Sequence, residues 1–257
     1  MNNAAAPSLF IVTGSSRGLG RALVELLLAP QHHVLGIARG DDDDALAQHA
    51  RERGGHLEQW AQDLSRTVEA AQRLEHWLAA LPPTRFSSAV LINNAAVLPK
   101  PGPIDELPFP TLSAALRLGL EAPLLLSTAF LRGTRGWRAE RRLLHISSSL
   151  GRRAIAGGAV YGAVKAGLDQ FSRAFALDEA LKDHGARSVA LAPGPIDTGM
   201  QRRMRDADVD RVPEQPRFAA LLAEGALDSP HDAAAKVLDY LQRPDFGAQP
   251  VADIVDA

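Results

Sequence analysis

Tyr161 and Lys165, four positions apart, are the residues in this sequence whose types and spacing most directly indicate chemistry. Apolar residues at helical spacing from Val160 to Ala176 predict a helix, which would carry both side chains on one face. In water a phenol titrates near pH ~10 and an ammonium near pH ~10.4, so neither exchanges protons readily at neutral pH. A nearby ammonium favours phenolate, so we expect Lys165 to lower the pKa of Tyr161. Tyr161 would then be a general acid for carbonyl reduction or a base for alcohol oxidation.

Ser148 provides a third polar group close to this pair. It follows the apolar run Leu143–Ile146, which predicts a buried strand that ends just before it. Its hydroxyl could hydrogen-bond a substrate oxygen beside the phenol. A Tyr and a Lys four apart are also common on ordinary helices, so a catalytic assignment needs support from elsewhere in the chain.

That support comes from a glycine-rich segment near the N-terminus. An apolar run, Leu9–Val12, is followed by TGSSRGLG at residues 13–20 and then by an amphipathic stretch. A strand, a glycine-rich turn and a helix start together form an anion site, because the first helical N–H groups and the helix dipole attract negative charge. Gly14 suits a strained turn, Gly18 lets a diphosphate approach the backbone, and Gly20 allows close packing of helix on strand.

Both segments resemble those of the classical short-chain dehydrogenases/reductases, and further motifs of that family follow in the expected order. Asp63-Leu64 resembles the family's acidic site for the adenine ring. NNAA at residues 93–96 resembles the turn after the fourth strand, and residues 193–198 resemble the segment around the nicotinamide. The resemblance implies that Ser148, Tyr161 and Lys165 are catalytic. It also implies a dinucleotide site formed by Gly14, Ser16, Arg17, Gly18, Leu19, Gly20, Ala38, Arg39, Asp63, Leu64, Asn93, Ala95, Tyr161, Lys165, Pro193, Gly194, Ile196 and Thr198.

One position departs from the family pattern. The family's catalytic Asn, which helps to hold a water relay behind the lysine, should lie within residues 116–126, and the best match there is Gly119. Glycine supplies no side chain for that relay, but it permits a local kink whose freed backbone groups could hold a water. We expect this change to affect the rate more than the type of reaction.

The end of the second predicted strand bears on the choice of cofactor. This strand, Val34–Ala38, has Ala38 where an acid would bind a ribose 2′-hydroxyl, and Arg39 follows it. An Arg at this point accommodates a 2′-phosphate, and Arg17 could reach the same group, so NADP(H) is expected. Asp41–Asp44 are expected to favour the start of the next helix through its dipole. If they instead face the adenosine, NAD(H) becomes the alternative.

The segments 192–201 and 246–257 resemble those of sepiapterin reductases and of bacterial relatives that reduce one carbonyl of a 1,2-diketone. In sepiapterin reductases a C-terminal aspartate anchors the pterin. Asp253 is the nearest match and is the predicted substrate contact, together with Ser148 and Tyr161. Asp256 is the competing candidate, and a surface acid near a fraying terminus is the alternative.

The alternation of strands and helices predicts one α/β domain over residues 1–257, a Rossmann fold with a doubly wound parallel sheet of about seven strands. The charged, proline-interrupted segment 199–226 leaves the strand end where hydride must move, so we expect a substrate lid. Its apolar underside would be formed by Met200, Met204, Phe218, Leu221 and Leu222.

Composition limits the classes of partner. The formal charge is −2, which gives no reason to expect nucleic acid or an anionic membrane, and the eight histidines show no zinc-ligand spacing. The chain has no cysteine and no predicted signal peptide or bilayer-length apolar run, so we expect a soluble cytoplasmic protein without a metal. The predicted helix Leu112–Leu131 and the Tyr161 helix together resemble the pair of helices through which this family forms dimers and tetramers. The alternative is that Leu112–Leu131 is a core helix.

Together these observations predict an NADPH-dependent carbonyl reductase that acts on a small cyclic or aromatic vicinal dicarbonyl, with Tyr161 as the proton donor. Two alternatives remain open. One is an NAD-dependent alcohol dehydrogenase of the same fold. The other is a catalytically weak dinucleotide-binding regulator, which the glycine at position 119 suggests.

Overall fold

A computed structural model describes residues 7–40 and 43–254 and, within them, one parallel sheet of seven strands in the order β3-β2-β1-β4-β5-β6-β7. This confirms the predicted fold class. The strands are β1 (Ser8–Thr13), β2 (His32–Ala38), β3 (His56–Ala61), β4 (Ser88–Asn93), β5 (Glu140–Ile146), β6 (Arg187–Ala192) and β7 (Val251–Asp253). The α-helices are α1 (Gly18–Leu27), α2 (Asp44–Arg53), α3 (Thr67–Ala79), α4 (Phe109–Leu116), α5 (Ala122–Gly133), α6 (Ala159–Ala180), α7 (Gly199–Arg205), α8 (Gln215–Ala223) and α9 (Pro230–Gln242).

Helices cover both faces of the sheet, and this explains the continuous apolar runs in the strands. A strand buried on both faces needs apolar side chains at successive positions, as in the run of Val90, Leu91 and Ile92. One core layer packs Leu23 of α1 with residues of α9, and the other packs Phe130 of α5 with residues of α3. The sheet is therefore a rigid platform whose strand ends can hold functional groups in fixed positions.

The strand order reverses direction between β1 and β4, which lie side by side with Ser8 opposite Ser88. In parallel sheets of this type, ligands bind beyond the carboxyl ends of the strands at such a reversal. The glycine-rich turn follows β1 and the NNAA turn follows β4, so the two turns meet at this point. Ser148 and the 193–198 segment follow β5 and β6 at the same edge of the sheet.

The predicted helix Leu112–Leu131 forms, but it is not uniform. Helical backbone runs from Phe109 to Gly133 and is interrupted by a π-helical turn, Arg117–Glu121, that surrounds Gly119. In this turn the N–H of Ala122 donates to the carbonyl of Arg117, five residues back. The stretch is long and apolar enough to cross a bilayer by length and composition, but here α5 packs on α3 as part of the core layer.

The segment 199–226 contains α7 and α8 and lies over Tyr161. Met200, Met204 and Phe218 join an apolar cluster with Tyr161, as expected of the predicted underside. Leu222, also predicted there, is instead half exposed. Two contacts hold the segment to the loop after β4. Arg203 donates a hydrogen bond to the Leu98 carbonyl, and Arg211 forms an ion pair with Glu106.

Candidate active site

The turn after β1 has the backbone conformation expected of an anion site. Gly14 and Gly18 adopt positive φ angles of 72° and 55°, a region that side chains other than glycine disfavour. A Cβ atom at Gly20 would lie 2.1 Å from the carbonyl oxygen of Gly14, so only glycine fits there. Helix α1 begins at Gly18, and its first N–H groups have no partners earlier in the helix. The residues present therefore form a backbone cradle that suits a diphosphate.

Two residues that the sequence interpretation did not select, Thr13 and Asn94, join this turn to the turn after β4. The Thr13 hydroxyl accepts from the N–H groups of Asn94 (2.9 Å) and Ala95 (3.0 Å), and the Asn94 side-chain amide donates to the Thr13 carbonyl (2.9 Å). The feature of the sequence that could have identified Thr13 is its position at the end of a strand, just before a glycine-rich turn. The cradle is thus braced from the neighbouring strand.

Asn93, predicted to contact the cofactor, directs its side chain elsewhere. Side chains alternate along a strand, and that of Asn93 points into the core, where its amide donates to Ser127 (3.3 Å) and contacts His145 (3.2 Å). Burial lowers the pKa of His145 to about 3, so the imidazole is neutral at pH 7. Asn94, and not Asn93, is therefore the residue whose side chain braces the turn.

At the far side of the turn, Ala38 ends β2 and Arg39 is exposed beyond it. The carboxylate of Asp43 has partners of its own. It caps α2 by accepting from the N–H of Leu46 (3.0 Å), and it forms an ion pair with Arg21. This agrees with the expectation that the acidic run favours the helix start, although residues 41 and 42 lie outside the described ranges.

The remaining predicted cofactor segments face the same edge. A hydrogen bond from the Ser65 amide lowers the pKa of Asp63, with a smaller contribution from the charge of Arg39. Gly194 has a φ of 80° and open space around it. A Cβ at Gly18 would lie 3.7 Å from the Thr198 methyl group, so the 193–198 segment lies across the glycine-rich turn.

The three predicted catalytic residues converge between β5 and α6. The Tyr161 hydroxyl lies close to Ser148, whose Oγ accepts from the N–H of Leu150 (3.2 Å). Burial raises the pKa of Tyr161 to about 12, and the Ser148 side chain only partly opposes this. The direction is opposite to the lowering expected from the sequence, because the cost of burying a phenolate exceeds the favourable contribution of Ser148.

Lys165 lies over the ring of the phenol. Its Nζ donates to the Ile146 carbonyl (2.6 Å) and lies 5.4 Å from the centroid of the Tyr161 ring. Burial lowers the pKa of Lys165 to about 8, and the nearby carboxylate of Asp169 partly opposes this shift. At neutral pH the site therefore holds a protonated phenol in front of an ammonium.

Gly119 faces this site from the π-helical turn, and the structure shows why no larger residue fits. A Cβ atom at this position would lie 2.6 Å from a methyl carbon of Val164, the residue that precedes Lys165 on α6. The space that an asparagine side chain would need is thus filled by valine.

Asp253, the predicted substrate anchor, ends β7 opposite Ala192 and forms an ion pair with Arg152. Arg152 also donates to Asp169 of α6 (2.9 Å). The carboxylate of Asp253 is therefore bound to a cation from the turn after β5, a partner that the sequence did not indicate. Its competitor Asp256 lies outside the described residues.

Comparison with known proteins agrees with this geometry. The sequence model described as short chain dehydrogenase matches residues 8–209. The chain belongs to the short-chain dehydrogenase family. It is therefore an oxidoreductase of a family that binds nicotinamide dinucleotides and acts on small molecules, and the glycine cradle and strand-end residues fit that cofactor.

Two curated members of the family are similar over nearly their whole length. The "benzil reductase ((S)-benzoin forming)" of Bacillus cereus is 29% identical over 92% of this chain and 94% of its own. The sepiapterin reductase of Rattus norvegicus is 30% identical over 96% of this chain and 95% of its own. A solved structure of a metagenomic short-chain oxidoreductase in complex with NADP superposes with a TM-score of 0.70, at 26% identity, over 97% of this chain and 95% of its own.

Proposed function

We propose that this short-chain dehydrogenase is an NADPH-dependent carbonyl reductase that reduces one carbonyl of a small cyclic or aromatic vicinal dicarbonyl. One observation carries the proposal: a phenol with its pKa raised to about 12 lies close to Ser148, at the edge of the sheet where the cofactor cradle lies. A protonated phenol can donate a proton, as reduction requires. Alcohol oxidation would require it to accept one.

Each residue has a distinct role in this proposal. Bound NADPH would supply the hydride. Ser148 orients the substrate oxygen, Tyr161 gives its proton to that oxygen, and Lys165 places a positive charge behind the ring as negative charge develops. Because Lys165 also donates to the Ile146 carbonyl, its position is fixed before the substrate binds.

The preference for NADPH rests on charge at the end of β2. Arg39 is exposed where a 2′-phosphate would lie, Arg17 is exposed in the glycine-rich turn, and Ala38 offers no carboxylate for a ribose 2′-hydroxyl. Asp43, the nearest described acid of the acidic run, is neutralised by Arg21. An NAD-dependent alcohol dehydrogenase is therefore the less favoured reading of the same fold.

The substrate class rests on the surroundings of Tyr161 and on the relatives. Leu98, Ile104, Leu107 and Val160 form an apolar wall beside the phenol, and the recess that they line is small, about 10 Å³. A wider recess of about 580 Å³ adjoins it at Lys100. Segment 199–226, proposed as a lid, lines the wider recess with Arg203, Asp206, Asp208 and Arg211. A diketone such as benzil needs no charged anchor, whereas a pterin anchored by Asp253 would have to share that carboxylate with Arg152.

The outer faces of α4 and α6 support a homodimer or homotetramer. Phe109 at the start of α4 and Leu181 just after α6 are each 88% exposed, and Leu177 near the end of α6 is 73% exposed. Light scattering should give a mass of two or four chains, and Leu177→Asp combined with Leu181→Asp should lower it. A monomer in both proteins would contradict this part of the proposal.

The loss of reduced-nicotinamide absorbance tests the reaction. NADPH and NADH are compared over a panel that includes benzil, an aliphatic 1,2-diketone and sepiapterin. Tyr161→Phe should lower kcat by at least about a hundredfold, because general acids contribute roughly 10²–10⁴-fold, while NADPH affinity is retained. Tyr240→Phe is the matched control, since Tyr240 of α9 is the other tyrosine of the chain.

The results separate the candidate functions. Faster turnover of a dicarbonyl with NADPH than with NADH, abolished in Tyr161→Phe, supports the proposal. A preference for NADH and for alcohol oxidation would favour the dehydrogenase. Tight NADPH binding without reduction of any carbonyl in the panel would favour the regulator, and it would make Gly119 the first residue to change.

A further inference from the structure

The turn that carries Ser148 is held on both sides by one buried carboxylate. Asp169 of α6, 1% exposed, accepts from the hydroxyl of Ser147 with one oxygen and from Arg152 with the other (2.9 Å). Ser147 directly precedes Ser148, and Arg152 follows it by four positions. Both ends of this short turn are thus fixed by one side chain.

The same turn lies flush against the helix that carries Tyr161. A Cβ atom at Gly151 would lie 2.9 Å from the carbonyl carbon of Lys165, and one at Gly162 would lie 3.1 Å from the carbonyl oxygen of Leu150. Two glycines, one on each side, therefore allow contact between backbones. In such contact, a small shift of the turn moves Ser148 relative to Tyr161.

Arg152 extends this connection to the last strand. Its second nitrogen pairs with Asp253, which lies opposite Ala192, the residue before the 193–198 segment. Ser147, Arg152, Asp169 and Asp253 therefore form one connected group, here named the Asp169 cluster. It links the Ser148 turn, the catalytic helix and the strand beside the predicted nicotinamide segment.

We propose that Asp169 is a positioning residue for Ser148, acting through Ser147 and Arg152, with Asp253 as the outer member that holds Arg152 in place. The proposal rests on the proposed role of Ser148 in orienting the substrate oxygen. A purely structural ion pair would stabilise the fold without regard to Ser148. A positioning role makes the effect of Asp169 depend on the Ser148 hydroxyl.

The test is a double-mutant cycle between Asp169→Asn and Ser148→Ala. Asparagine keeps the shape of the side chain, but it loses the negative charge and places an NH2 group where one of the two acceptor oxygens of Asp169 faces Ser147 or Arg152. With benzil and NADPH, Asp169→Asn alone should lower kcat by roughly 10–100-fold, because misplacement by about 1 Å is that costly. The KM for NADPH should change little. In the Ser148→Ala protein the same substitution should change kcat by less than about twofold.

Two further variants complete the design. Asp178→Asn removes a charge from an exposed position of the same helix and should leave kcat unchanged. Arg152→Gln releases one end of the turn and should lower kcat less than Asp169→Asn does. In the Ser148→Ala protein, Arg152→Gln should not lower kcat further. Because Arg152 lies at the surface, this second cycle also serves if Asp169→Asn fails to fold, as thermal melting would show.

The outcomes distinguish this inference from the function on which it rests. If Ser148→Ala retains full activity, the proposed role of Ser148 is wrong and the positioning role fails with it. If Ser148→Ala is impaired, but Asp169→Asn or Arg152→Gln has no effect or lowers kcat equally in both backgrounds, only the positioning role is wrong. Loss of the Asp169 effect in the Ser148→Ala protein supports both.

Discussion

The glycine-rich turn after β1 and the catalytic face of α6 line the same edge of the sheet, but different parts of the chain form them. The turn is made of backbone, with positive φ angles at Gly14 and Gly18 and no space for a side chain at Gly20. The face of α6 is made of ionisable side chains, the buried Lys165 and the partly buried Tyr161, with the pKa of Tyr161 raised to about 12 and that of Lys165 lowered to about 8.

The difference shows what each region must do. A diphosphate already carries its charge, so a fixed set of N–H groups is sufficient to bind it. A carbonyl develops negative charge only during reduction, so its partners must hold a proton and a cation in readiness. Substitutions that change the charge on α6 should therefore lower the rate of the chemical step. Substitutions that add volume in the glycine-rich turn should instead weaken the binding of the cofactor.

Lys165→Met should have the largest effect. It removes the ammonium behind the phenol and leaves the Ile146 carbonyl without its donor. Loss of one electrostatic partner at a reacting oxygen costs about 10²–10³-fold in kcat, which steady-state kinetics with NADPH and benzil would measure. Lys236→Met, in an exposed ion pair on α9, is the control and should change kcat little. A loss seen only in the KM for NADPH would make Lys165 a cofactor contact.

Gly20→Ala should have the next largest effect, and we expect that effect in the binding of NADPH. The added methyl group would lie 2.1 Å from the Gly14 carbonyl oxygen. Forcing extra volume into a packed site costs about 1–3 kcal/mol, so the Kd for NADPH from fluorescence titration should rise roughly 5–150-fold while kcat changes much less. Gly199→Ala, where a Cβ meets open space, should leave the Kd unchanged. A normal Kd in Gly20→Ala would show that the turn can relax.

The pH dependence of kcat/KM sharpens the contrast in charge. As pH rises through about 8 Lys165 loses its proton, whereas Tyr161 keeps its own until about pH 12. Carbonyl reduction should therefore decline above pH ~8 by about tenfold per unit, since kcat/KM reports ionisations of the free enzyme. Cofactor Kd over the same range should remain comparatively flat. Constant kcat/KM up to pH ~10 would mean that the reaction does not use the charge of Lys165.

Gly119→Asn should have the smallest effect on catalysis, because the side chain is blocked by Val164. We expect a loss of about 1–3 kcal/mol in the free energy of unfolding and no gain in kcat. Combining it with Val164→Ala should recover part of that stability, as chemical denaturation would show. Val164→Ala alone is the control for the cavity it creates. Recovery of stability with a rise in kcat would support the relay role of asparagine.

The sequence predicted the sheet and the glycine cradle because both depend on local pattern. Buried parallel strands need apolar runs, and positive φ angles need glycine, so β1 to β6 and Gly14 could be placed from residue types alone. The prediction for Tyr161 was wrong in the direction of its pKa, because that direction depends on how deeply neighbours bury the phenol. The same limit applies to Asp253, whose partner Arg152 lies 101 positions away in the chain.

Thr13 and Asn94 were missed for a related reason. Each is an ordinary residue at the end of a strand, and only the pairing of β1 with β4 brings them together. Asn93 was selected from the resemblance of NNAA to the family's turn, and Asn94 is adjacent and identical in type. The alternation of side chains across the strand, fixed by the sheet, decides which of them reaches the turn.

The contact between Gly119 and Val164 also constrains the order in which this active site can change over evolutionary time. A lineage that acquires asparagine at 119 while valine is at 164 must first survive a less stable intermediate. A lineage that first acquires a smaller residue at 164 meets only a small cavity, and asparagine can then fill it. The two positions, 45 residues apart in the chain, are therefore expected to be inherited as a matched pair.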